Sequence, residues 1–246
     1  MKKPINLPSN VELLVTSGGG VGTTFVIDFL NNYKVCNNRD DKDGFKHRDR
    51  PTPAGNPDFK AIYVFGNPIN AIYSLFRRDY HHEESYKLLQ NHPNLTPIPK
   101  EMSLDDFAAE GKDRFLFESH FRNWNEHYYQ YPVMFIRYEK IWENLEPLLE
   151  FAGIPLSEID KFPEQKERKT QLDQISEVTQ SNMRKIYGDF HDYLEAQPDC
   201  WIREEELGFG HKVYAWNFTV GLAMRRFEIK LKRTILKMMG KKVVEG

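Results

Sequence analysis

The sequence predicts an α/β protein: a parallel sheet of about four to five strands flanked by helices. Three observations predict it. Runs of strand length at residues 11–16, 60–65 and 132–139 are rich in β-branched and aromatic residues and nearly continuous in apolarity, as strands buried on both faces are. Each is followed by a helical pattern, at 24–30, 68–79 and 141–152, and such alternation builds right-handed strand–helix–strand units. The first strand and helix are joined by a turn that holds four glycines in five residues, Gly18 to Gly22. With 40% hydrophobic and 13% aromatic residues among 246, the chain has enough apolar material for one such domain.

The glycine turn leads from Thr16 through Ser17-Gly18-Gly19-Gly20-Val21-Gly22 to Thr23 and Thr24, where the helix begins. A turn of this kind aims several backbone N–H groups at one point, at the positive end of the following helix. That suits a phosphate or a sulfate. A tight strand-to-helix connection without a ligand explains the same residues, and the turn alone does not separate the two.

Residues 31–36 read as a turn into a second strand. Residues 37–44 read as a solvated turn: Asp41-Lys42-Asp43-Gly44 hints at a calcium loop, but Arg39 stands at the first ligand position and no glutamate closes the loop. A loop rich in proline and glycine follows to Pro57. Asn67 is a good N-cap and Pro68 fits the first turn of the helix predicted through Asp79, on which Ser74 and Arg78 share a face. His81-His82-Glu83-Glu84 has no third ligand at a useful spacing, so a solvated turn is predicted there rather than a metal site. Residues 91–100 are a loop. Helices are predicted at 104–111 and 114–129, the second with a core-facing stripe of Phe115, Phe117, Phe121, Trp124 and Tyr128; His120 and His127 are ordinary positions on it. Gly153 and Pro155 stop the helix at 141–152. Residues 160–175 are loop-like, and 179–194 are helical.

Residues 1–210 form the α/β domain in this scheme, and 211–246 a basic amphipathic helical extension. From Lys212 onward nine Lys or Arg face Glu228 and Glu245, a net +7, while Met224, Phe227, Leu231, Ile235 and Met238 recur at helical spacing. Such a helix suits an anionic membrane surface, the domain itself, or a second copy in a homodimer. The whole chain carries a net −2, which argues against nucleic acid as partner. Two cysteines exclude a disulfide framework. With no leader-like apolar run and no stretch of spanning length, a cytoplasmic protein is expected, with membrane association through the C-terminal helix as its one membrane contact.

Over roughly residues 11–210 the chain resembles the sulfotransferase family, whose P-loop-like domain uses 3′-phosphoadenosine 5′-phosphosulfate (PAPS) as donor. Gly20-Val21-Gly22-Thr23-Thr24 is similar to the family's Lys-Ser-Gly-Thr-Thr loop. The strand 60–65 followed by Gly66-Asn67-Pro68 and Ser74 resembles its 3′-phosphate motif, an Arg-Asp/Asn-Pro strand end with a serine eight residues after the arginine. Lys46-His47-Arg48-Asp49-Arg50-Pro51 resembles a Lys-x-His-x-Pro segment, Arg137-Tyr138-Glu139 a Tyr-Glu-Asp-Leu region, and Arg168-Lys169-Thr170 an Arg-Lys-Gly segment. Gly20 stands where the loop lysine belongs and Gly66 where the arginine belongs, with Lys46 and Arg77 or Arg78 as nearby substitutes.

The resemblance implies backbone N–H groups of Gly19, Gly20, Val21, Gly22, Thr23 and Thr24 around the 5′-phosphosulfate. It also implies Ser74, Arg78 and Arg168 on the 3′-phosphate, His47 as general base and Lys46 or Arg48 at the leaving group. No metal is needed. The acceptor would be a small molecule, a glycan or a lipid bound by the loops 37–57 and 80–102. A catalytically degenerate scaffold is the alternative. A P-loop nucleotide kinase is a further one, although Thr23 occupies its lysine position and no strand ends in a metal-binding aspartate.

Overall fold

A computed structural model describes residues 7–89, 92, 94–126, 130–165 and 175–203. The chain divides into two units, 1–204 and 205–246; the second, with the predicted basic helix, lies outside the described residues.

The core is a four-stranded sheet in the order β1 (Leu13–Thr16), β2 (Lys60–Phe65), β3 (Val133–Arg137), β4 (Cys200–Arg203). The first three strands are parallel, in register Val15 to Ile62 and Ile62 to Met134. Every residue of β1 and β3, and all of β2 after Lys60, is buried, so helices cover both faces. Tyr63 and Phe65 turn toward Phe121 of α5 (Phe117–Glu126), with Phe135 of the neighbouring strand beside them. Phe25 and Phe29 of α1 (Thr23–Leu30) pack against Phe162, and Phe25 also stacks on Trp142.

Local chemistry sets the helix ends. In α2 (Pro68–Arg77) the Asn67 side chain accepts from the Asn70 N–H at 3.1 Å, with Pro68 at the first position. Ser103 and Ser176 cap α4 (Leu104–Glu110) and α7 (Glu177–Glu195) in the same way, and Gly153 closes α6 (Leu145–Ala152) in the left-handed conformation.

Several expectations are corrected. Residues 81–84 are not a solvated turn: they open a helix, α3 (His81–Leu88), whose inward stripe of His81, Glu84, Ser85 and Leu88 is buried. The helix expected from 114 begins at Phe117, because Asp113 accepts from the N–H groups of Phe115 and Leu116 and from Tyr187 Oη, and Leu116 takes a positive φ. Residues 138–144 form two short 3-10 turns before α6. The strand expected near Cys36 is reduced to one bridge to Leu13, and the Asn37 side chain does the pairing instead, accepting from the Val15 N–H and donating to the Val15 carbonyl. The sheet also gains β4, which runs antiparallel along β3 and places Trp201 on Phe135 at 4.8 Å. Residues 127–129 and 166–174, with His127 and Arg168 among them, lie outside the described residues.

Candidate active site

The glycine turn sits at the C-terminal ends of the parallel strands, the edge where α/β sheets bind ligands. Its shape is fixed from both sides. Gly20 has φ +72° and lies against α2, where a Cβ would meet Ala71 Cβ at 2.8 Å and the Ala71 carbonyl oxygen at 2.9 Å. Gly22 has φ +71°, and a Cβ there would meet Tyr138 at 2.5 Å and Phe25 at 2.6 Å. The absent loop lysine therefore has a steric reason: position 20 has no room for a side chain. Among the described residues, the N–H groups of Gly20, Val21, Gly22, Thr23 and Thr24 have no protein acceptor, whereas that of Gly19 is used by Ser17 Oγ at 3.0 Å. Five donors remain at the start of α1, at the positive end of its dipole.

Lys46 comes to this point from another part of the chain. Its backbone carbonyl accepts from the Ser17 N–H at 3.1 Å, which ties the 45–50 segment to the end of β1. Its Nζ donates to Thr24 Oγ1 at 2.7 Å and to the Arg39 carbonyl at 2.9 Å. Burial lowers its pKa, and the carboxylates of Glu84, Asp41 and Asp40 pull the other way. An ammonium has three hydrogens, so one is left for an anion on the turn.

His47 is held at both ends. Nδ1 meets the Ser17 carbonyl at 3.0 Å and Nε2 meets Glu84 Oε1 at 2.9 Å. Both partners are acceptors, so neither ring nitrogen offers a lone pair to a substrate. Glu84 is the group that faces the turn: its Oε1 is 2.5 Å from where a Cβ on Gly19 would stand. Burial alone would raise the Glu84 carboxyl, but the charge and hydrogen bond of His47, with Lys87 and Lys46, outweigh it and hold the pKa at about 2. Behind His47, His120 accepts or donates at Tyr63 Oη, 2.8 Å away, and burial depresses its pKa to about 4.

These groups line one side of an open cleft. Thr23, Thr24 and Lys46 stand at its floor, and Arg78, Tyr80, Glu83 and Lys87 at its rim. Ser74 is half-buried and is not part of that lining. Arg78 reaches the cleft, but its Nε donates to the Ser74 carbonyl at 3.0 Å and its guanidinium lies 5.3 Å from the Tyr80 ring. At the other expected anion position a carboxylate is found. A Cβ on Gly66 would lie 2.8 Å from Glu139 Oε2, and Glu139 Oε1 accepts from the Asn67 N–H at 3.4 Å. Among the described residues no group of three His, Cys, Asp or Glu side chains could hold a metal, and no helix is long and apolar enough to cross a membrane.

A family model described as a sulfotransferase domain matches residues 45–208, two thirds of the chain. The chain belongs to the sulfotransferase domain family. Comparison with curated proteins and with solved structures gives no match. The family match starts at residue 45, so it includes Lys46, His47, Glu84 and Glu139 and leaves the glycine turn to be judged on its geometry.

Of the residues that the sequence singled out, Lys46, His47, Thr23, Thr24, Gly20 and Gly22 come together in one cleft with Arg78 at the rim, and Ser74 does not join them. Sequence reasoning missed Glu84, Lys87 and Glu139. The stripe His81, Glu84, Ser85 and Leu88 has helical spacing and could have revealed α3, but three of its four residues are polar, which hid it from a search for apolar periodicity.

Proposed function

We propose that this protein moves a sulfuryl group from an adenosine phosphosulfate donor to a hydroxyl or amine of a small-molecule, glycan or lipid acceptor. PAPS is the donor that the family resemblance implies. The observation that carries the reading is the meeting of Lys46 Nζ with Thr24 Oγ1 beside five uncommitted N–H donors at the start of α1. Such donors stabilise charge that develops on the leaving phosphate. The acceptor oxygen or nitrogen attacks sulfur in line. The bond from sulfur to the bridging 5′-phosphate oxygen breaks, and its electron pair stays on that oxygen, under the Gly20–Thr24 N–H groups and Lys46. The acceptor proton is taken up by the hydrogen-bonded His47–Glu84 pair acting as one unit. The residues fit the 5′-phosphosulfate half of PAPS. Among the described residues its 3′-phosphate half has no counterpart, since Glu139 stands at Gly66 and Ser74 does not line the cleft; Arg168 lies outside the described residues.

In this proposal residues 1–210 are the catalytic domain of a cytoplasmic enzyme, and 211–246 a separate extension for contact with a membrane surface or a second copy. Calorimetric titration with adenosine 5′-phosphates in the presence of EDTA tests it: binding without magnesium supports it, and binding only of ATP with magnesium contradicts it in favour of a kinase. Glu139 at Gly66 also favours a second reading, a scaffold that keeps the fold without the chemistry. Nucleotide binding with no label transferred from radiolabelled phosphosulfate to any member of a hydroxyl and amine acceptor panel would select that reading.

A further inference from the structure

Lys46 is placed to do more than hold an anion. Its Nζ donates to Thr24 Oγ1 at 2.7 Å and to the Arg39 carbonyl at 2.9 Å. These two acceptors fix two of the three positions on the nitrogen. The third is left to the cleft that Lys46 and Thr24 line, as a hydrogen in the ammonium and as a lone pair in the amine. Both acceptors are uncharged, so neither holds the proton by charge. Lys140 and Lys161 differ: each donates to a carboxylate at 2.7 Å, which raises its pKa. For Lys46 burial is the largest influence and lowers the pKa; Lys87 lowers it too, against Glu84, Asp41 and Asp40. A lysine whose charge is disfavoured by burial and by a second cation is the usual form of a nucleophilic amine. Lys60 also donates to a carbonyl, that of Phe151 at 2.8 Å, but it stands at the start of β2, at the opposite end of the strand from the turn.

A nucleophile beside an anion seat selects a reagent that carries an anion. An acyl phosphate is such a reagent, with its carbonyl carbon one oxygen away from phosphorus. Once the phosphate lies on the N–H groups of Gly20 to Thr24, that carbon comes within reach of Nζ, and proximity replaces a chance collision from solution. We propose that Lys46 is a modification site, acylated at Nζ by an acyl phosphate seated on the Gly20–Thr24 turn. This rests on the anion-turn reading of the site. The ammonium first gives one proton to water. The amine lone pair then attacks the carbonyl carbon, the bond from that carbon to the bridging oxygen breaks, and its electron pair stays on the phosphate under the N–H groups. The second proton from Nζ goes to that phosphate, and an amide and inorganic phosphate are the products. The amide is neutral, so the modified chain lacks the cation of the seat. Acylation of Lys46 therefore switches off nucleotide binding.

The experiment is acetylation of the full chain by acetyl phosphate in EDTA, read by peptide mass spectrometry. Cleavage after Arg39 and Arg48 leaves Lys46 and the exposed Lys42 in one peptide, so that each is the standard for the other. With acetyl phosphate Lys46 should react about tenfold faster than Lys42 or more, and AMP should suppress the reaction of Lys46 alone. With N-acetoxysuccinimide, which carries no phosphate, the exposed Lys42 should react the faster. The chain acetylated at Lys46 should bind AMP about tenfold more weakly or worse by calorimetry. A Lys46 that reacts with acetyl phosphate no faster than Lys42 overturns the proposal. So does labelling of Lys46 that bound AMP leaves unchanged, or a preference for Lys46 that N-acetoxysuccinimide shows equally. If calorimetry shows AMP bound to the wild type, those results remove this proposal alone. No binding of AMP to the wild type overturns the anion-turn reading, and this proposal with it.

Discussion

Replacing Glu84 by Gln tests the ion pair that holds α3 against the glycine turn. The Glu84 carboxyl is held at about 2 against an ordinary 4.5, a difference equivalent to about 3 kcal/mol between folded and unfolded chains. Breaking a buried charge pair costs about 3–5 kcal/mol, which agrees. Because the folded pKa is the lower one, this stability is fully present above pH 4.5 and is lost as the pH falls toward 2. At pH 7 the variant should therefore melt about 6–12 °C below the wild type, at roughly 2–4 °C per kcal/mol for a domain of this size. The gap should close as the pH is lowered through that window. Thermal unfolding followed by circular dichroism from pH 7 to pH 2.5 measures both effects. A variant that melts within about 2 °C of the wild type at pH 7, or a gap that persists undiminished in acid, would refute the pairing.

Three further outcomes are expected. His120 is buried with its pKa at about 4, so the unfolded chain takes up its proton first; stability should fall by about 3 kcal/mol as the pH drops from 6.5 to 4, and His120→Gln should flatten that limb of a urea-denaturation series. Lys46→Met keeps the stem and removes the ammonium, and should raise the dissociation constant of a 5′-phosphate nucleotide about 10- to 100-fold by calorimetry. Gly22→Ala forces a Cβ into Tyr138 and Phe25 at a positive φ, and should cost about 1–3 kcal/mol in chemical denaturation while also weakening nucleotide binding.

Much of this was legible in the sequence, for reasons that particular residues make plain. β1, β2 and β3 announce themselves because strands buried on both faces must be apolar throughout. The start of α2 is written in Asn67 and Pro68, whose roles are local. The glycine turn is legible because the positive φ values at Gly20 and Gly22 favour that residue. α3 was not legible, because its inward face is made of His81, Glu84 and Ser85, which are buried only where partners from elsewhere satisfy them: His47, the Lys100 carbonyl and the Ile98 N–H. β4 is four residues long and takes its place from Trp201 packing on Phe135, a contact that no local pattern encodes. The site divides along the same line. Lys46 and His47 could be picked out by their neighbours in sequence, whereas Glu84 and Glu139 act through distances that only the fold creates.

The central claim is that the N–H groups of Gly20 to Thr24, with Lys46, form an anion seat for an adenosine 5′-phosphosulfate. A calorimetric titration of adenosine 5′-phosphosulfate into the full chain in EDTA, beside the same titration into Lys46→Met, tests it most directly. The account predicts one magnesium-independent site in the wild type that the substitution weakens at least tenfold. No binding in the wild type, or binding that Lys46→Met leaves unchanged, would contradict it.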